Sequence, residues 1–404
     1  MALNTALTGI NAAQSDLNVI ANNIANANTT GFKGSRAEFA DVFAVTGLNL
    51  NSTATGSGAR LQDVAQQFAQ GDIVTTNNSL DLAISGNGFF VVDNGSGVQY
   101  TRAGDFKKSA DNYVQTNNGA RLQIYPPNGL GGFDTSTLTD LKLLSSQSNA
   151  TATSLITMNS NLPASASVPA TAFSPSDATS FNAATPVTIY DSQGGSHQAT
   201  VYYVKTATNA WDAHLYVDGS SAGTQPLTFD TSGNLATPVG GNLSYTPVNL
   251  GNGSNPLALS VNVTNTTQFG TAYSAGAISQ NGFEAGTLSN IDIDSKGVVT
   301  AHYSNNQSTQ LGQIAIANFS NVQGLRQVGE TAWAASGDSG SAVMGAAGSG
   351  TFGNLQSGAL ESSNTSDTTA QLVNMIKAQR NYQANAKVLG TDETLTTALF
   401  NAVR

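Results

Sequence analysis

The sequence contains no cysteine, and charged residues make up only 10% of its 404 positions. Without cysteine, neither a disulfide framework nor a thiolate metal or redox site is possible. The formal net charge is −10, and the 15 Lys and Arg residues form no basic stripe that could neutralise a phosphate backbone. These shortages exclude thiol chemistry and argue against nucleic acid as a partner.

Long hydrophobic runs are also missing. No stretch of about 18 apolar residues occurs, so the sequence predicts no insertion into a membrane. The first residues lack the basic region and the continuous apolar core of a secretory signal peptide, so we expect any export to use another route. Gly is abundant, at 41 residues, and hydrophobic residues make up 39%. This composition is typical of antiparallel β-structure with many turns rather than of a disordered chain.

Apolar residues at both ends of the chain repeat at alternating steps of three and four, the spacing of a narrow helix–helix seam. The predicted seam residues are Leu3, Ile10, Leu17, Ile20 and Ile24 at the front, and Leu372, Met375, Tyr382, Leu389 and Phe400 at the back. We expect the first helix to end near residues 26–30, and the second to start after an N-cap at Ser366 or Asp367 and to weaken at Gly390. The pattern leaves two alternatives open. The helices pair with each other in a globular domain, or they pair with copies from neighbouring chains as well.

Between the helices the hydrophobic period changes to two. Residues 80–84 and 89–92, separated by a glycine turn, predict a β-hairpin. Further strand candidates at residues 187–190, 199–205, 211–217 and 257–263 predict a small sandwich or barrel. The predicted fold class is therefore mainly β with α-helical termini. It comprises two nested antiparallel β-domains and a coiled-coil pair formed by the N- and C-terminal helices.

The composition shifts between residues 145 and 284, where Lys205 is the single basic residue besides two histidines. This shift predicts a domain inserted into another domain's chain. The predicted divisions are a terminal helical domain (1–33 and 362–404), linker regions (34–70 and 346–361), a discontinuous middle β-domain (71–144 and 285–345) and an inserted outer β-domain (145–284).

Three short motifs resemble sites of chemistry but lack the partners that the chemistry needs. Residues 337–340 read GDSG, as in trypsin-like proteases, yet His197, His214 and His302 are isolated and none has a triad setting. Residues 348–353 fit GxGxxG without a bracketing strand and helix. Residues 292–297 begin like a calcium loop but place Lys at the fifth position. We therefore predict no catalytic, cofactor-binding or metal-binding residue.

Two longer motifs carry a family resemblance. Residues 21–33 read ANNIANANTTGFK, with Asn22, Asn23, Asn26, Thr30, Gly31, Phe32 and Lys33, and residues 374–387 read NMIKAQRNYQANAK, with Gln379, Arg380, Tyr382 and Asn385. These motifs resemble the opening and closing signatures of the flagellar rod and hook protein family, in the right order at opposite ends of the chain. Weaker matches at residues 80–92, 100–106 and 358–364 lie between them.

The resemblance implies a non-enzymatic structural subunit without cofactors. It would polymerise with itself into a curved, flexible tube that transmits torque, with the seam residues lining the inner tube. The Asn-rich opening signature would hydrogen-bond across subunits or face the channel. The large insert favours hook members over the shorter rod members. Implied partners are the flagellar rod, the hook cap, the hook-length control and hook–filament junction proteins and the type III export apparatus, which would deliver the chain outside the cell. A rod or hook-associated protein remains an alternative, as does a secreted β-rich adhesin with coiled ends.

Overall fold

The computed structural model describes residues 2–42, 56–129, 131–143 and 148–402. The chain divides into two compact units. The first comprises Met1–Leu144, Asn290–Ala301 and Ser308–Arg404, and the second comprises Ser145–Ser289 and His302–Gln307. None of the described helices is long and apolar enough to cross a membrane.

Two long helices, α1 (Ala2–Ala25) and α2 (Thr368–Ala402), stand at the ends of the chain. Helix α1 ends within a residue of the predicted region. Asp367 caps α2, since its Oδ1 accepts the Ala370 amide at 3.1 Å, which confirms one of the two predicted caps. Helix α2 continues through Gly390, so the predicted weak point does not interrupt it.

The described residues from 35 to 140, all in the first unit, form ten strands. They are β1 (Ser35–Asp41), β2 (Ala59–Gln66), β3 (Ile73–Thr75), β4 (Leu82–Ser85), β5 (Phe89–Asp93), β6 (Val98–Thr101), β7 (Lys107–Lys108), β8 (Val114–Gln115), β9 (Arg121–Tyr125) and β10 (Thr139–Asp140). The central strand β5 is buried on both faces because one cluster contains Phe90 and Val92 and another contains Phe89 and Val91.

In the second unit, the described residues from 155 to 280 form nine strands in two sheets. They are β11 (Leu155–Asn161), β12 (Ala183–Tyr190), β13 (Ser196–Ala207), β14 (Ala210–Val217), β15 (Ser220–Phe229), β16 (Leu235–Thr237), β17 (Asn242–Ser244), β18 (Ser260–Asn262) and β19 (Ser274–Gln280). Strands β12 to β16 form an antiparallel meander. The second sheet runs β17-β18-β11-β19, and its β11–β18 pair is parallel. Buried and half-buried residues alternate along β14, and Trp211 and Tyr203 lie in the core.

The described residues from 288 onward form eight strands before α2. They are β20 (Leu288–Ile293), β21 (Val298–Tyr303), β22 (Ser308–Asn318), β23 (Arg326–Gly329), β24 (Ala332–Ala334), β25 (Val343–Ala346), β26 (Asn354–Ser357) and β27 (Ala359–Glu361). A short 3-10 helix spans Val322–Gly324. The main sheet runs β20-β21-β22-β9-β5-β6-β24-β23, so strands from before and after the insert share one sheet.

The predicted hairpin at residues 80–92 is wrong in its pairing. Strand β4 pairs with β26, and β5 pairs with β6, β9 and β22. Leu82, Ala83 and Ile84 are all buried, so β4 is covered on both faces and is not the half-solvated strand of a surface hairpin. The partner of β4 lies far along the chain, where no local pattern could identify it.

The two stretches predicted as linkers contain paired strands. Residues 34–70 hold β1 and β2, which form an antiparallel pair with a bulge, and residues 346–361 hold β26 and β27. Strand β27 pairs with β3 as β26 pairs with β4. Strands of three or four residues are too short for an alternating pattern to predict them. For this reason the sequence predicts a linker at residues 346–361.

Candidate assembly surface

The two terminal helices meet along small side chains. Helix α1 buries Ala6, Ala13 and Ile20, which follow one another at intervals of seven residues. Helix α2 buries Ala378, and a Cβ added to Gly9 would lie 2.7 Å from the Asn385 carboxamide. Small side chains let helix axes approach closely. The two helices therefore approach each other closely where Gly9 faces Asn385.

The predicted seam lies mostly beside this contact. Ile20 is buried, Ile10, Leu17, Ile24, Met375 and Leu389 are half-buried, Leu3, Leu372 and Tyr382 are exposed, and the Phe400 side chain lies outside the described residues. Within one chain, Leu3, Leu372 and Tyr382 therefore keep a large part of their side chains uncovered, and the seam stays a prediction. The pattern selects large apolar residues, whereas the packed positions are the alanines next to them.

Large apolar side chains remain exposed along both helices. We call Leu3, Leu7, Leu372, Val373, Ile376, Val388 and Leu395 the apolar helix surface. Each of these side chains is 47% exposed or more. Leu372 and Ile376 lie four residues apart on one side of α2, and grouped exposed apolar side chains of this kind mark an interaction site.

Below the helices, three charged side chains form a buried ion triad of Lys33, Arg102 and Glu361. Lys33 Nζ donates to Glu361 Oε1 at 2.5 Å, and Arg102 Nη1 donates to Glu361 Oε2 at 3.2 Å. The side chains of Lys33 and Glu361 are fully buried, and that of Arg102 is 6% exposed. Burial lowers the pKa of both Lys33 and Arg102, although the Glu361 carboxylate opposes that shift.

Backbone groups complete the triad. Lys33 donates to the Ala69 carbonyl at 2.8 Å, Arg102 donates to the Gly86 carbonyl at 2.7 Å, and Glu361 accepts the Gly71 amide at 2.9 Å. Buried charges are tolerated when they are paired and hydrogen-bonded in this way. The triad therefore ties the segment after α1 to β27, just ahead of α2, and to two loops of the β-structure.

Residues of the opening signature make hydrogen bonds and close contacts at and just after the C-terminal end of α1. Asn23 is buried, and its carboxamide donates to the Ser35 carbonyl at 2.8 Å and accepts the Ser35 amide at 2.9 Å. Gly31 has φ +65° and would place a Cβ 2.4 Å from the Ala103 nitrogen, so glycine is required there. Phe32 is buried and Thr30 is half-buried. The expectation that Asn23 bonds across subunits or faces a channel is therefore wrong, because its polar atoms are used within the chain.

Two more asparagines of this signature, Asn22 and Asn26, also have partners in the chain. Asn26 Nδ2 donates to the carbonyl and side-chain oxygens of Asn22, at 3.0 and 3.2 Å. The closing signature differs, since Gln379, Arg380 and Tyr382 are exposed and Asn385 is half-buried with a bond to the Asn381 carbonyl at 2.9 Å. The first signature thus lies against the body of the chain, whereas much of the second faces outward.

Sequence reasoning missed Arg102 and Glu361. Both lie in stretches that resemble the family, YTRAGDF and GALESSN, but neither stretch shows which residue meets which. The available signal was weak, because charged residues also lie on exposed strands of this chain, such as Arg36 and Glu38 on β1. Lys33, in contrast, was selected as part of the opening signature.

The enzyme-like motifs are turns. Ser339 is buried, and its hydroxyl donates to the carbonyls of Ser336 and Gly340 at 3.0 Å each. The Asp294 carboxylate accepts the amides of Lys296 and Val298 at 2.9 and 2.8 Å. These polar groups stabilise backbone turns. Among the described residues no group of three His, Cys, Asp or Glu side chains could hold a metal ion.

His197, expected to be isolated, lies between two carboxylates of the second unit. Its Nδ1 is 2.6 Å from Asp218 Oδ2, and its Nε2 is 3.2 Å from Asp191 Oδ2. Burial disfavours the charged imidazole, but the hydrogen bonds to Asp218 and Asp191 outweigh it and raise the pKa of His197. Burial likewise opposes ionisation of Asp191, yet its bonds to His197, Asn252 and two backbone amides lower its pKa to about 2. The hairpins β12–β13 and β13–β14 bring these residues together.

We expect this cluster to make the stability of the second unit depend on pH. The raised pKa of His197 means that its contribution is complete below about pH 6.5 and is lost as the pH rises through the folded-state pKa. The lowered pKa of Asp191 means that its contribution is complete above about pH 4 and is lost as the pH falls toward 2. Thermal unfolding should therefore show roughly 1 kcal/mol less stability at about pH 8 than at about pH 5. His197→Gln should flatten that difference, and an unchanged difference would contradict the assignment.

Comparison with known proteins identifies the class of protein to which this fold belongs. Four family models match in chain order, namely Flagella basal body rod protein at residues 3–33, Flagellar hook protein FlgE/F/G D1 domain at 83–172, Flagellar basal body protein FlaE D2 domain at 158–283 and Flagellar basal body rod FlgEFG protein C-terminal at 356–401. A β-rich body between paired terminal helices, with these four matches, defines a protein of the flagellar rod and hook class.

Full-length relatives give the particular family. The chain is 39% identical to Flagellar hook protein FlgE of Salmonella typhimurium, over 99% of this chain and 100% of that protein. It is 38% identical to Flagellar hook protein FlgE of Escherichia coli, with the same coverage. The crystal structure of Helicobacter pylori flagellar hook protein FlgE2 matches with a TM-score of 0.51, over 70% of this chain and 99% of that chain, and at 14% identity it supports the fold. The chain therefore belongs to the flagellar hook protein family. It is a structural subunit that assembles with copies of itself in the bacterial flagellar hook.

Proposed function

We propose that the apolar helix surface is where copies of this chain meet, and that the helix pair lines the inner tube of the hook. The observation that carries the proposal is the exposure of seven large apolar side chains on the two terminal helices. A helix with an uncovered apolar stripe is marginally stable alone and becomes ordered when a neighbour covers the stripe. Of the predicted seam residues, Leu3, Leu372 and Tyr382 meet other copies.

The same proposal assigns each part of the chain to a layer of the tube. Residues 1–33 and 362–404 form the inner tube, residues 71–144 and 285–345 form a middle layer, and residues 145–284 form the outer layer. The type III export apparatus delivers the chain unfolded, and the absence of cysteine suits that route because no disulfide has to form afterwards. The rod, the hook cap, the hook-length control protein and the hook–filament junction proteins are its partners, and the chain catalyses no reaction.

Electron microscopy of the purified full chain in a salting-out buffer tests this proposal. We expect tubes from the full chain, because salting-out strengthens apolar burial. A matched chain that lacks Ala2–Ala25 and Thr368–Ala402 should remain monomeric. Tubes from both chains would place the driving contact in the β-structure and overturn the role of the helices. Monomers from both would show that the chain needs a template.

A further inference from the structure

The four-stranded sheet of the second unit contains no charged residue. Its strands β11, β17, β18 and β19 come from two stretches, residues 143–176 and 231–283, which contain no Asp, Glu, Lys, Arg or His. The five-stranded sheet differs, since Lys205 and Asp212 lie on its strands and Asp191 and Asp218 lie in its turns. Charge is therefore distributed unevenly between the two sheets of one unit.

One edge of the uncharged sheet, strand β19, has a bulge between Ala275 and Ile278 but none of the other usual protections. Exposed sheet edges are normally blunted by Pro, by charge or by very short strands, because unpaired backbone groups attract other strands. The edge strand β12 contains Pro186, and β16 and β17 are three residues long. Strand β19 has seven residues, reads SAGAISQ, and is exposed along its length except at Gln280, which is half-buried. No strand of the described chain pairs with its outer edge.

The register identifies the unpaired backbone groups. The Asn281 amide donates to the Leu155 carbonyl at 3.3 Å and so points to β11, whereas the Leu155 amide donates to the Asn281 side-chain oxygen at 3.0 Å. Successive amides of a strand point to opposite sides, and Ser279, two residues before Asn281, lies opposite Thr157. The Ser279 amide therefore points to β11, and the amides of Ile278 and Gln280 point away from the sheet.

We propose that the outer edge of β19 is a contact between copies, at which an extended segment of a second copy of this chain adds a strand to the uncharged sheet. Main-chain hydrogen bonds from Ile278 and Gln280 supply the pairing. This inference rests on the proposed self-assembly, and it adds a second contact that does not involve the terminal helices.

The distribution of charge favours a second copy of this chain as the partner that binds the outer edge of β19. Each copy carries a formal net charge of −10, so copies that pack together repel one another wherever carboxylates face each other. An edge without ionisable side chains avoids both that repulsion and the cost of removing water from a charge. A basic partner would be expected to meet acidic residues, and residues 231–283 offer none.

Hydrogen exchange of the full chain, compared between the monomer and the assembled polymer, tests the inference at single-residue resolution. We expect the amides of Ile278 and Gln280 to exchange at least about tenfold more slowly in the polymer, while Ser279 is protected in both states. Equal exchange at Ile278 in monomer and polymer would overturn the inference and leave the proposed function intact. Failure of the full chain to polymerise under any condition would overturn both.

Substitution gives an independent readout. Ile278→Pro removes an amide that points outward, which an edge strand tolerates, and Ile278→Val keeps the amide with a similar side chain. We expect Ile278→Pro to slow elongation at least about tenfold and Ile278→Val to leave it unchanged. If Ile278→Pro disturbs the near-UV circular dichroism of the monomer, Ala277→Lys replaces it, with Ala277→Ser as its control. Elongation by the Pro or Lys variant at the parent rate would refute the contact.

Discussion

Replacing Glu361 by Gln is expected to lower the free energy of unfolding of the first unit by about 3–5 kcal/mol, because it leaves two buried cations without an anion. Lys33 and Arg102 both donate to Glu361, and their side chains are almost fully buried. The backbone carbonyls that accept from these cations offset part of their desolvation but carry no full charge. Urea unfolding followed by tryptophan fluorescence measures the loss, because Trp333 lies in a core cluster of this unit.

The chain offers a matched control in the same unit. Glu38 forms an ion pair with Arg36 at 2.7 Å, but the two side chains are 43% and 66% exposed. Solvent screens such a pair, so Glu38→Gln should change the free energy of unfolding by less than about 1 kcal/mol. Equal losses for the two variants would show that the triad contributes no more than a surface ion pair. The double variant Lys33→Met with Glu361→Gln should recover part of the loss, because it removes one of the unpaired cations.

The sequence pattern predicted those helices, caps and strands that are determined by residues close to one another in the chain. The seven-residue repeat, the cap at Asp367 and the alternation at residues 211–217 each depend on near neighbours in sequence, and the structure confirms a helix at each end, the cap and strand β14. The insertion at residues 145–284 stays a prediction from composition, which unlike strand pairing can be read along the chain. Fold class follows from these features together.

Features that depend on distant residues were not predictable in this way. The partner of β4 is β26, and the carboxylate that neutralises Lys33 is Glu361, each far along the chain. The helix contact shows a subtler limit, because a hydrophobic pattern ranks leucine above alanine. Close packing instead placed Ala6, Ala13 and Ala378 at the contact and left the larger side chains outside. The proposed role of the exposed seam residues Leu3 and Leu372 is therefore a contact with another copy of the chain.

If copies assemble through the apolar helix surface, substitutions on that surface should change the monomer concentration at which polymerisation begins. The double variant Leu372→Gln with Ile376→Gln is expected to raise the monomer concentration needed for polymerisation about 30-fold without destabilising the monomer. The two side chains are 50% and 49% exposed and lie four residues apart on one side of α2. Burying the remaining half of each contributes about 1 kcal/mol, so together they supply about 2 kcal/mol to the association of each copy. Gln is a good helix former, so the substitutions keep α2 intact.

Sedimentation of polymer from monomer, at a series of protein concentrations, measures this effect. Val239→Gln is the control, because Val239 is 94% exposed in the second unit, away from both helices. It should leave the threshold concentration unchanged. Ala378→Gln provides the complementary case, since it enlarges a packed position within one chain and should destabilise the monomer itself. A double variant that polymerises at the parent threshold would mean that the apolar helix surface stays exposed in the tube, and that the drive to assemble lies in contacts such as the edge of β19.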